Sequence, residues 1–159
     1  MSVIEDRNEL INVRKKLKAE NKKVVFTNGC FDILHSGHVD YLNKAKASGD
    51  VLIVGINSDD SIKRIKGEKR PIINQQERAF LVANLKAVDY VTFFGEDTPE
   101  IIINDLIPDI LVKGADWALD KIVGRDTVEK NGGVVKTIEF VNDQSTSKII
   151  NTILKKSGN

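Results

Sequence analysis

Residues Val51-Leu52-Ile53-Val54-Gly55-Ile56 run for six positions without one polar side chain. A strand with one face in water alternates polar and apolar residues, so this run belongs to a strand covered on both faces. A parallel sheet sandwiched between helices creates that position. The remaining apolar pattern fits the same frame. Short β-rich runs lie at 23–28, 90–94, 110–113 and 134–138. Helical spacing fills the intervals: Leu10, Val13 and Leu17 within 6–20, and Val39, Leu42 and Ala45 within 38–48, where Gly49 ends the helix. Asn74, with Glu77 three residues on, caps a helix that runs to Leu85, and Thr98-Pro99 opens one that must stop before Pro108. Another is expected over about 120–130, ended by Asn131-Gly132-Gly133, and a last from near Ser145, carrying Ile149, Ile150, Ile153 and Leu154. Alternation of this kind predicts an α/β fold with a doubly wound, five-stranded parallel sheet and right-handed crossovers. One domain is expected over 1–159, with an N-terminal helix in 1–22 and the core in 23–159.

The composition excludes several classes of function. Apolar residues make up 41% and charged residues 30% of the chain, proportions that support a packed core and argue against disorder. A net charge of +1 supplies no global field for nucleic acid or an anionic membrane. No apolar run is long enough to span a bilayer, and the first residues lack the apolar core of a signal peptide. A single cysteine, Cys30, allows no internal disulfide. These features predict a cytoplasmic protein.

In doubly wound sheets ligands gather at the carboxyl ends of the strands, where strand order reverses. After the first β-rich run comes Asn28-Gly29-Cys30-Phe31-Asp32-Ile33-Leu34-His35-Ser36-Gly37-His38. This is neither a dinucleotide GxGxxG nor a GxxxxGK[ST] loop. Instead, the only two histidines of the chain flank Gly37 at a helix entrance. A spacing of three sets both imidazoles on one side of the first turn, beside backbone N–H donors suited to phosphate. Gly37 lets a nucleotide approach the backbone. The plain alternative is a structural or surface pair. A metal site would need Cys, Glu or a third His at ligand spacing, which is lacking nearby.

Gly29-Cys30-Phe31-Asp32 followed by His35-x-Gly37-His38 resembles the signature of the cytidylyltransferase-like nucleotidyltransferases, whose fold is Rossmann-like and of the HxGH type. Asn57-Ser58-Asp59, the segment from Lys63 to Gly67, Arg70-Pro71-Ile72 and Lys113-Gly114-Ala115-Asp116 are similar to heptose-1-phosphate adenylyltransferases, as is Ser145-Thr146-Ser147. The likeness covers the chain from about Val24 onward. Trp117 departs from it: tyrosine is frequent there in the heptose enzymes, whereas tryptophan is found in glycerol-phosphate cytidylyltransferases.

The resemblance implies that ATP, accompanied by Mg²⁺, reacts with heptose 1-phosphate to give ADP-heptose and pyrophosphate. His35, His38 and Lys66 would serve catalysis. Gly29, Cys30, Phe31, Gly37, Lys113, Gly114, Asp116, Trp117, Ser145, Thr146 and Ser147 would bind nucleotide. Asp32, Asn57 and Arg78 would contact the sugar or its phosphate. Cys30 would border the nucleotide without attacking it. A homodimer and a separate heptose kinase are further expectations. On the residues alone, Lys66 and Lys69 lie on a flexible Gly-bearing segment able to close over a triphosphate. Arg78, a cation in a first helical turn, opposes the helix dipole unless an anion answers it. Ser145 is the natural cap of the last helix. The alternatives are a CTP-dependent glycerol-3-phosphate enzyme, a silent nucleotide-binding module and, weakest, a nucleic-acid-binding protein.

Overall fold

The all-apolar run is the middle of a sheet. In the computed structural model, which describes residues 2–139 and 144–158, strand β3 (Val51–Asn57) is buried at every position. Its residues alternate between two cores: Leu52, Val54 and Ile56 face one, Val51 and Ile53 the other. The other strands are β1 (Ser2–Ile4), β2 (Val24–Gly29), β4 (Tyr90–Phe94), β5 (Ile110–Gly114) and β6 (Val134–Ile138). All pair in parallel, in the order β1-β4-β3-β2-β5-β6. Helices α2 (Ser36–Lys46) and α4 (Gln75–Ala83) cover one face through Leu42, Ala45, Ala79 and Val82. Helices α1 (Arg7–Ala19), α5 (Glu100–Leu106) and α6 (Arg125–Lys130) cover the other through Leu10, Leu17, Ile102, Ile103, Leu106 and Val128. Each such fully buried aliphatic side chain contributes about 1.5–3 kcal/mol. Among the described residues, no helix is long and apolar enough to cross a membrane.

The α/β class and parallel winding agree with the sequence; four details do not. The sheet has six strands rather than five, because Ser2–Ile4 add to the edge of β4, pairing Val3 with Val91. The first 22 residues are therefore a strand followed by a helix. Three residues are too few to display a period, so the strand left no pattern to read. Of the segment expected to be flexible, Lys66 is the last residue of helix α3 (Asp59–Lys66), while Gly67 and Lys69 follow in a turn. Ser58 caps the helix, accepting from Ser61 N at 3.2 Å, and Gly67 ends it at φ +93. Helix α2 begins at Ser36 rather than His38, with His35 as its N-cap. The helix expected over 120–130 is a 3₁₀ turn at Leu119–Lys121 followed by α6. Gly124 divides them at φ +84, and a Cβ there would meet the Ile103 side chain at 2.7 Å. Residues 1, 140–143 and 159 of the expected domain lie outside the described residues.

Candidate active site

From β2 the chain moves to one side through β3 and β4, then returns to place β5 on the other side of β2. The carboxyl ends of β2 and β5 therefore flank the switch point, and a cleft of about 510 Å³ opens there. Asn28, Gly29, Cys30 and Phe31 line it from the end of β2, Lys113 and Gly114 from the end of β5.

The histidines stand at the head of α2. His35 makes no side-chain cap bond; its carbonyl accepts from His38 N at 3.0 Å and starts the helix. The two imidazoles stack, with centroids 3.9 Å apart and planes inclined by 27°. Nδ1 of each is buried without a hydrogen-bond partner, a condition that buried polar atoms rarely keep unless a ligand answers them. Burial lowers the pKa of His35. Burial first, then the charges of His35 and Lys66, push that of His38 down to about 4. Both rings are therefore neutral at pH 7, and each can donate one N–H.

Cations surround the pair. Lys66, the last residue of α3, reaches the cleft, as does Arg70. Lys113 is brought down to about 8, chiefly by burial against the opposing pull of Asp116. Its Nζ lies 5.9 Å from the ring centre of Trp117, which is half exposed at the rim. Helix α7 (Thr146–Lys156) closes the outer wall, with Ser145, Thr146 and Ser147 at its start. Ser145 is its cap, as expected: Oγ accepts from Lys148 N at 3.2 Å. Thr146 Oγ1 reaches Ile33 O only at 3.5 Å. Burial raises the thiol pKa of Cys30, so the sulfur stays protonated and unsuited to attack.

Four residues expected in the site do not line the cleft. Gly37 is buried in the first turn of α2. Asn57 is buried, donating from Nδ2 to Ser61 Oγ at 3.0 Å. Asp32 is 1% exposed; Oδ1 accepts from Ile72 N and Ile73 N, each at 2.9 Å, and Oδ2 from Arg70 Nε at 2.6 Å. Burial alone would raise its pKa, but the backbone donors of Ile73 and Ile72, with Arg70, outweigh it and hold the carboxyl below its ordinary value. Arg78 lies furthest from its expected placement. It is fully buried and donates to Ile73 O, Cys30 O, Asn57 O and the Asp59 carboxylate at 2.5–2.9 Å. The cation in the first turn is answered by carbonyl oxygens and a carboxylate, so no phosphate is needed to justify it.

The cleft also holds residues that the sequence did not mark as site residues: Asn28, Tyr41, Arg70 and Gln144. Arg70 belongs to the Arg70-Pro71-Ile72 motif, and its placement follows from the Asp32 bond. Tyr41 sits inside a helix, where spacing reads only as core. Its Oη lies 2.7 Å from Thr27 Oγ1 and donates to Val112 O at 3.2 Å. Burial raises its pKa, keeping the phenol neutral.

Residues 26–156 match the cytidylyltransferase-like family model. The chain is 57% identical over 141 residues to the bifunctional protein HldE of Geobacter sulfurreducens, covering 89% of this chain and 29% of that protein. It is 56% identical over 137 residues to HldE of Helicobacter pylori, covering 86% and 29%. The chain thus spans about 30% of the length of these curated relatives. Among solved structures, the lipopolysaccharide core biosynthesis protein of Thermoplasma volcanium aligns with a TM-score of 0.63 at 32% identity, covering 77% of this chain and 99% of that one. Pantothenate synthetase of Thermus thermophilus aligns at 0.65 but at 13% identity, over 94% and 67%, which speaks to fold alone. With the histidine pair, the switch-point cleft and a match over most of its length, the chain belongs to the cytidylyltransferase-like family.

Proposed function

We propose that this chain transfers the adenylyl group of ATP to D-glycero-β-D-manno-heptose 1-phosphate, forming ADP-heptose and pyrophosphate. The observation that carries the reading is the stacked, neutral histidine pair with its unpartnered Nδ1 atoms, set among Lys66, Arg70 and Lys113. A phosphate monoester is largely dianionic at neutral pH, its second pKa being about 6, so the acceptor needs no general base. One of its oxygens attacks the α-phosphorus as the bond to the β-phosphate oxygen breaks. The protein's contribution is alignment and stabilisation of the spreading negative charge. His35 and His38 donate to phosphate oxygens, while Lys66, Lys113 and the donors around Ser145–Ser147 hold the triphosphate and the departing pyrophosphate.

Among the described residues, no three His, Cys, Asp or Glu gather as a cation cage, and Asp116 is the one carboxylate of the cleft lining. That donor set fits Mg²⁺ carried on the triphosphate with water completing its shell. Held there, Mg²⁺ would neutralise part of the phosphate charge. Trp117, half exposed beside Lys113, offers its face to the adenine. The match to about 30% of each bifunctional HldE protein supports one activity of a pair. The likeness to the lipopolysaccharide core biosynthesis protein of Thermoplasma volcanium supports lipopolysaccharide precursors as the chemical setting. The same reading has a sugar kinase supply the heptose 1-phosphate. It takes the working form to be a cytoplasmic homodimer, without nucleic-acid or membrane partners.

The test crosses ATP and CTP with heptose 1-phosphate and glycerol 3-phosphate, reading pyrophosphate release and product mass. ATP with heptose 1-phosphate should turn over fastest. Equal or better turnover with CTP and glycerol 3-phosphate overturns the assignment.

A further inference from the structure

Phe31 holds a backbone angle that bulky residues avoid, φ +48, two residues past the end of the strand that enters the cleft. Such conformations are costly and persist only where the surroundings impose them. Here both neighbours are pinned. On one side Cys30 O accepts from buried Arg78 Nη1 at 2.5 Å. On the other, the Asp32 carboxylate is held by Ile72 N, Ile73 N and Arg70 Nε. The turn between them directs the Phe31 ring inward, where the residue is 5% exposed. Two neighbours confine the ring. A Cβ at Gly29 would meet its Cε2 at 3.0 Å, so any side chain there would require the ring to give by a few tenths of an ångström. His38 also packs on the ring, with centroids 5.2 Å apart and planes at 57°, a tilted aromatic contact.

We propose that Phe31 is a positioning residue for His38: its left-handed turn, pinned by Arg78 and by the Asp32 clamp, sets the ring against the imidazole and fixes how that imidazole meets the nucleotide phosphates. The catalytic half of this inference rests on the function proposed above; the ring contact does not. The arrangement gives two of the buried residues that miss the cleft a part in the chemistry. Arg78 and Asp32 shape the site one residue removed from it. The wall that Phe31 forms also belongs to the burial that lowers the His38 pKa, to which the charges of His35, the cap of α2, and Lys66, the last residue of α3, add.

The experiment compares wild type with Phe31→Leu and Gly29→Ala. The first removes the ring; the second displaces it with Phe31 intact. For each, the His38 ring resonances and their titration midpoint are followed by NMR, beside steady-state kinetics. Because small misplacements of a reacting group cost up to about a hundredfold in rate, kcat should fall roughly tenfold or more while KM for ATP changes by less than about threefold. The His38 midpoint should rise from about 4 towards 6.5 in Phe31→Leu, with the His35 midpoint moving less. A folded Phe31→Leu protein with unmoved His38 resonances, or with wild-type kcat, overturns the proposal. Should Phe31→Leu not fold, Gly29→Ala carries the same two criteria. If the wild type itself shows no nucleotidyl transfer, the function proposed above fails. The NMR arm then decides whether Phe31 sets the His38 ring.

Discussion

The two ends of the strands are built on opposite terms. At the amino ends, an aspartate preceding a strand accepts from the backbone of a neighbouring one. Asp50 Oδ2 takes Lys23 N at 2.7 Å, Asp89 Oδ2 takes Leu52 N at 2.7 Å, and Asp109 Oδ2 takes Val24 N at 2.8 Å. Two of them also pair with cations, Asp89 with Lys46 and Asp109 with Arg14. Arg14 further caps the end of α5 through Ile107 O, and its Nη1 is the exception at this end, buried without a partner. At the carboxyl ends, the Nδ1 atoms of two imidazoles, Asn28 Oδ1 and Glu96 Oε2 are buried without hydrogen-bond partners, and Lys113 is held below its ordinary pKa by burial. One end is arranged for stability. The other leaves polar groups unanswered in the free protein, as sites built to receive charge do.

The largest expected effect lies at the unanswered end. His38→Ala should lower kcat by roughly 10²–10³, the range for losing one preorganised donor, with little change in melting temperature; His35→Ala should behave alike. Wild-type turnover in either folded variant would erase the functional side of the comparison.

At the opposite end Asp89→Ala should do the reverse. It leaves the Leu52 N–H without its acceptor, a loss of roughly 1–3 kcal/mol in stability. Turnover per folded molecule should stay within about twofold of wild type. Denaturant melts beside kinetics decide it, and an unchanged midpoint would mean that the strand starts are not where stability resides.

The smallest effect sharpens the contrast within one residue. Lys113 is protonated in both folded and unfolded chains below pH 8, so the full cost of burying its charge falls on the free protein there. Between about 8 and 10.5 the unfolded chain binds more protons than the folded one, and stability from this group rises with pH. Lys113→Met should therefore melt about 2–4 °C higher at pH 7, an advantage that fades as pH approaches 10.5. It should also lose most of the stabilisation that ATP confers on the wild type. A variant that melts lower at pH 7 would show that the buried ammonium does not burden the free fold.

The apolar run at 51–56, the short β-rich segments and the helical spacings determined by themselves the α/β class, the parallel winding and the place of the cleft after β2 and β5. These are local periodicities, and a buried two-faced strand has few other homes. The histidine pair was equally legible, since a motif at a helix start is contiguous in the chain. Only the tertiary structure decided what each charged side chain does there. Arg78 looks like a phosphate ligand along the chain and is a buried brace in space, because its partners at Cys30 and Asn57 lie 48 and 21 residues away. Arg70 enters the site through Asp32, 38 residues distant. The edge strand at Ser2–Ile4 exists only because β4 offers it a partner. A side chain's role depends on which groups satisfy its hydrogen bonds, and for buried groups those partners come from other loops.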